Sequence, residues 1–166
     1  MKILFIFFCL ASIGCSNTKK DLKISEVIDY KELNIFISDS LPTFLDFDEK
    51  YVDIISQWND ISLISNVKNI RFSDSREVNY IISALKTDIL KISDKIVPVK
   101  LNHPQIIGRF RVLKTDILKL NLDEVFNKNN IKFKEDLKDI IISYNAFVNS
   151  INLILSKSES ENLDLN

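Results

Sequence analysis

The chain has 166 residues, with 22 basic and 23 acidic side chains, one histidine, two cysteines and two glycines, and its formal net charge is −1. So even a balance offers no long-range field to steer DNA or RNA. With one glycine beyond residue 14, Gly108, the chain lacks the turn chemistry of all-β folds and the glycine-rich loops that cradle phosphates, and it reads as helices joined by short polar connections.

Residues 1–15, MKILFIFFCLASIGC, place Lys2 ahead of an apolar run from Ile3 to Ile13, then Gly14 and Cys15. A charged start, an apolar core and small residues at its end make a secretory signal peptide. The run is shorter than the roughly 17–25 apolar residues a spanning helix needs. Its ending, Ser12-Ile13-Gly14-Cys15, resembles the lipobox of bacterial lipoproteins, with Ser12 where that family usually carries Leu. The resemblance implies cleavage before Cys15, acylation of that cysteine with palmitate-type chains, and loss of residues 1–14 together with Cys9. A mature chain of 152 residues would remain, with 21 basic against 23 acidic side chains and no free thiol. Such a chain has neither disulfide nor thiolate metal site, and it is long enough to be held by one packed core.

Residues 15–22 then read as the lipidated tether, 23–155 as a helical domain and 156–166 as a flexible tail without an apolar stripe. Leu22–Ser38 mixes a helical pattern (Ile24, Val27, Ile28) with a strand-like alternation (Leu33, Ile35, Ile37), and is expected to be a short helix or irregular segment. Four stretches follow the 3–4 spacing of an inward helix face. The first carries Phe44, Phe47, Tyr51, Ile54, Trp58 and Ile61, with Pro42 in its first turn. The second carries Val78, Ile82, Leu85, Ile89, Ile92 and Ile96, opened by Asp74 and Glu77 at capping-box spacing and stopped by Pro98. The third carries Ile106, Phe110, Leu113, Ile117 and Leu120, with Asn102 as its expected cap. The fourth carries Phe133, Leu137, Ile140, Tyr144, Phe147, Ile151 and Ile154, widened by Ile141, Val148 and Leu155. Its connections, Ser65–Ser73, Val97–Asn102 and Asn127–Asn130, are short, which makes sequential neighbours antiparallel. The expected fold is all-α: an antiparallel up-down-up-down four-helix bundle with a short N-terminal addition.

The heptamer LKTDILK occurs twice, at Leu85–Lys91 and Leu113–Lys119, offset by 28 residues or four heptads. Leu and Ile carry the apolar stripe in both copies, so Lys86, Thr87, Asp88 and Lys114, Thr115, Asp116 are expected to be solvated flanks of the seam.

Little in the chain points to catalysis. His103 is the sole histidine, and general-base chemistry would need an orienting carboxylate that no spacing supplies. Haem, zinc and di-iron motifs are missing. Asp46, Asp48 and Glu49 lack the spacing and glycine of a calcium loop. No serine sits in a nucleophile elbow. Phe47, Tyr51, Trp58 and Phe110 are the candidates for an apolar pocket between helices, or else for simple core. No cofactor is expected. The sequence thus points to a non-enzymatic, lipid-anchored helical module of a bacterial envelope. Its partners would be the bilayer, through Cys15, and an envelope protein. The alternative is a bundle that senses or binds a small apolar ligand. The overall pattern resembles small helical lipoproteins of Bacteroidota, and Ser16 after the cysteine implies, by analogy, an outer-membrane location facing the periplasm.

Overall fold

The computed structural model describes residues 30–74, 76–121 and 130–163. The signal segment, Cys15, the tether, and residues 122–129 of the last connection lie outside them. Among the described residues the chain is all-helical, without a strand.

Six α-helices are formed among the described residues: α1 (Tyr30–Ile35), α2 (Val52–Ser56), α3 (Asn69–Phe72), α4 (Val78–Lys91), α5 (Pro104–Lys119) and α6 (Ile131–Leu163). Three of them are long. In α4 the buried stripe is Val78, Ile82, Leu85 and Ile89; in α5 it is Ile106, Phe110, Leu113 and Ile117. Each α5 position is an α4 position plus 28, so the internal offset extends well beyond the seven identical residues. Ile92 and Leu120, the C-terminal caps, are buried at the same offset. The stripe of α6 runs from Phe133 through Ile140, Tyr144 and Phe147 to Leu155, and Ile141 and Val148 widen it as expected. Helices α4, α5 and α6 lie antiparallel in sequence. Lys114 of α5 reaches Ile92 at the end of α4, and Lys119 at the end of α5 reaches Asp139 near the start of α6.

The start of α5 corrects one detail. Its N-cap is His103 rather than Asn102, and the imidazole Nδ1 accepts from the Gln105 N–H at 3.3 Å while Pro104 takes the first helical position. At α4, Asp74 accepts from the Arg76 N–H at 2.9 Å, and the helix begins only at Val78 with no side-chain cap at Glu77. Helix α4 also stops at Lys91, before Ile96, which stands 73% exposed in the connection. At the other end α6 runs on to Leu163, through most of the segment expected to lack helical support.

The first expected helix is not one helix. Residues 41–48 form an extended strap, followed by a 3-10 turn (Glu49–Tyr51), α2, a 3-10 stretch (Ile61–Lys68) and α3. Both ends of the strap have polyproline-II dihedrals: Leu41 at φ −76°, ψ 142° and Asp48 at φ −64°, ψ 125°. That conformation turns once every three residues. Between those ends, Phe44 and Phe47, three residues apart, turn to the same side and meet Tyr144 and Phe147 of α6 edge-on. Burial follows the expected pattern even though the backbone does not: Tyr51, Trp58 and Ile61 are buried, and Phe44, Phe47 and Ile54 pack half-buried against the core. Leu41 precedes Pro42 and is thereby steered away from helical dihedrals. The backbone groups of the strap find partners outside it, described below.

Candidate functional site

The four residues named for an apolar pocket are placed as follows. Trp58 and Phe110 meet with ring centroids 5.2 Å apart, and Phe147 of α6 lies 6.1 Å from Trp58 and 5.8 Å from Phe110. The Trp58 indole N–H donates to the Ser93 carbonyl at 2.8 Å, which gives the buried ring its polar partner. Phe47 sits edge-on to Phe147 at 6.2 Å. Tyr51 is separate from this cluster, and its hydroxyl donates to Glu159 at 2.9 Å. The structure thus joins Phe47, Trp58 and Phe110 around Phe147, ring against ring, and directs Tyr51 elsewhere. Cys15 lies outside the described residues.

His103 is exposed and borders a shallow cleft with Ile154, Lys157, Ser158 and Glu161. Its Nδ1 lone pair is committed to the α5 cap. Among the described residues no group of His, Cys, Asp and Glu is arranged to hold a metal ion, and no helix is long and apolar enough to cross a membrane.

The repeated heptamer departs from the expectation of solvated flanks. Lys86 of the first copy donates to the Leu120 carbonyl at 2.6 Å, and Lys114 of the second donates to the Ile92 carbonyl at 3.3 Å. Leu120 and Ile92 cap the opposite helices, so each copy supplies an ammonium to the C-terminal end of the other. The last carbonyls of a helix lack intrahelical donors and carry the negative end of its dipole. A local two-fold relation between antiparallel α4 and α5 therefore makes the exchange reciprocal. The remaining polar positions repeat as well. Lys91 pairs with Asp88 at 2.8 Å and Lys119 with Asp116 at 3.1 Å, while Thr87 and Thr115 donate to carbonyls one turn back. Lys91 and then Asn66 hold the Asp88 carboxyl below its ordinary range. Lys119 is raised above the usual lysine range by Asp116, then by Asp139. The duplicated motif is thus a structural clasp.

A second array was not singled out from the sequence. Four α6 residues spaced by seven, Lys138, Asn145, Asn152 and Glu159, meet the chain from Phe36 to Tyr51. Lys138 lies 5.3 Å over the Phe36 ring. The Asn145 side-chain amide accepts from the Leu45 N–H at 2.8 Å and donates to the Thr43 carbonyl at 2.7 Å. Asn152 repeats the grip three residues further on, accepting from the Asp48 N–H at 3.0 Å and donating to the Asp46 carbonyl at 3.0 Å. Glu159 accepts from Tyr51 and from Lys50, the latter at 3.3 Å. Lys50 is held above the usual lysine range, first by Tyr51 and then by Glu159. Opposite α6, Lys68 pairs with Asp46, and Arg71 donates to the Pro42 carbonyl at 3.3 Å. The strap is floored by Tyr144, edge-on to Phe44 at 5.8 Å, and by Phe147. Among the described residues the Tyr144 hydroxyl is buried without a hydrogen bond of good geometry, and burial pushes it up to about 12 against a smaller opposing effect of Ser65. Two asparagines one heptad apart at the edge of an apolar stripe were the available signal, since asparagine is a weak helix former that needs a reason to stand there.

No family model matches the chain, and no solved structure matches it. An uncharacterized protein of Rickettsia typhi is 29% identical over 148 residues, which cover 84% of this chain and 16% of that protein. The chain therefore spans less than a fifth of the length of the curated relative it matches.

Proposed function

We propose that this chain is a non-enzymatic helical module of the bacterial envelope, lipid-anchored through Cys15 and engaged with a protein partner. In this reading it faces the periplasm from the outer membrane and needs no cofactor. On the same reading α4, α5 and α6 form three members of an up-down-up-down bundle, and residues 41–72 take the place of its first helix. The observation that carries the interaction reading is the packed aromatic cluster of Trp58, Phe110 and Phe147. Rings in mutual contact occupy the region where a small apolar ligand would sit, so recognition falls to the surface. The anchor rests on Ser12-Ile13-Gly14-Cys15. Stable anchoring needs two or more lipid signals, each buried CH₂ contributing about 0.8 kcal/mol.

The test is Cys15→Ala in cells fed a palmitate analogue. Wild type should be labelled and sediment with membranes, and the variant should lose both properties. Chemical crosslinking in intact cells should then capture a defined envelope protein with wild type. A variant that stays membrane-bound while neither form is labelled removes the lipoprotein reading. Crosslinking that yields only the monomer removes the partner.

A further inference from the structure

The grip on the strap reads backbone. Each asparagine amide joins a carbonyl at one position to an N–H two residues on, and the residue between them, Phe44 or Phe47, turns inward. The two registers match: seven helical residues advance about 10.5 Å, and three polyproline-II residues advance about 9.3 Å. Among the described residues no backbone–backbone hydrogen bond joins 43–47 to another element. The strap is held by side chains, by two half-buried rings, and by charge: Lys68 with Asp46, and, just past its end, Lys50 with Glu159 of α6 at 3.3 Å. Segments fastened in this way open at low local cost compared with a packed helix.

We propose that the channel between α6 and residues 61–72 is a docking site for an extended, acidic-aromatic peptide segment of a protein partner, occupied in the resting chain by its own residues 43–48. The proposal deepens the partner-binding reading above and rests on it. Asn145 and Asn152 read the peptide backbone. Tyr144 and Phe147 receive two aromatic side chains three residues apart. Lys68 selects an acidic residue between them. This is polyproline-II recognition with helix-borne amides, and the in-cis occupant sets a threshold that a partner must exceed.

The probe is a fluorescein-labelled peptide with the sequence of residues 41–49. The receptor is the full chain carrying Phe44→Ala and Phe47→Ala, which weakens the occupant and leaves the channel intact. The labelled peptide should bind this variant at least about tenfold more tightly than it binds wild type. Adding Asn145→Ala and Asn152→Ala should weaken binding by about tenfold or more, since four backbone hydrogen bonds are lost. A folded receptor that binds no peptide, or binds equally without the asparagines, overturns the proposal. So does a concentration-dependent dimer of the wild-type chain whose exchanged segment is the strap, because the occupant would then be a second copy.

Should the released variant fail to fold, hydrogen exchange on wild type decides. The Leu45 and Asp48 amides should exchange at least about a hundredfold faster than those in the middle of α6. Exchange only through global unfolding overturns the proposal. Crosslinked capture that persists with Asn145→Ala and Asn152→Ala would leave the interaction module standing and remove this channel as its site.

Discussion

Gly108 stands exposed in the second turn of α5, and a Cβ built on it meets nothing within 4 Å. Its φ is not in the left-handed region, so neither turn geometry nor close approach asks for glycine there. A mid-helix glycine costs about 0.5–1 kcal/mol relative to alanine through lost chain entropy. Gly108→Ala should therefore raise stability by about that amount, read as a higher midpoint in urea with an unchanged slope. A lower midpoint would mean that α5 is not a continuous helix at this position. Elsewhere the residue scale shows how one side chain answers a backbone need. His103 caps α5 through a ring nitrogen, and Asn145 and Asn152 take the place of the hydrogen bonds that an extended strap cannot make for itself.

Helices α4 and α5 are a matched pair. Their stripes coincide at an offset of 28, and their lysines exchange ends. Lys86 and Lys114 are half-buried, so their stems are packed and their ammonium groups meet carbonyls screened from bulk water. Lys86→Ala and Lys114→Ala should each lower stability by about 1 kcal/mol, the usual net loss of a charge-assisted hydrogen bond at a helix end. Thr87→Ala should cost almost nothing, because that exposed hydroxyl only bonds back one turn within its own helix. Chemical denaturation of the three variants separates these expectations. Three equal losses would mean that the clasp contributes nothing specific. The offset was visible in the residues. Its role was not, because the partner of each lysine lies 34 or 22 residues away in the chain and becomes a neighbour only when the helices pack antiparallel.

On the scale of the whole molecule, carboxylates fasten neighbouring elements to one another. Asp94 in the α4–α5 connection meets Arg111 at 2.8 Å, and this pairing holds its carboxyl below the ordinary range. Asp88, lowered first by Lys91 and then by Asn66, ties α4 to the 61–68 stretch. Both carboxyls have a lower pKa in the folded chain than in the unfolded one. In acid the unfolded state therefore binds more protons, and stability falls as pH falls. The contribution is complete above the ordinary aspartate value of 3.8 and disappears as pH drops through the lowered folded values. Wild type should lose stability as pH falls from about 5 to about 2, and Asp88→Asn with Asp94→Asn should lose less over the same interval. An identical loss in the double variant would assign the acid sensitivity to other carboxylates.

The sequence by itself determined the helical class and the buried apolar faces of α4, α5 and α6, because the 3.6-residue period and the scarcity of glycine act locally; the buried Ile64, Val67 and Ile70 lay outside its expected stripes. It also determined which aromatic residues would be buried between residues 44 and 61. It did not determine their backbone, because the non-helical strap, like an α-helix, puts Phe44 and Phe47 on one side, and apolar spacing cannot separate the two. Tertiary structure decided that question. Asn145 and Asn152, about 100 residues away in the chain, supply the hydrogen bonds that make an extended course affordable next to a helix. It likewise turned the heptamer from two solvated flanks into a reciprocal clasp, since an unsatisfied helix end attracts a cation only once packing brings one within reach.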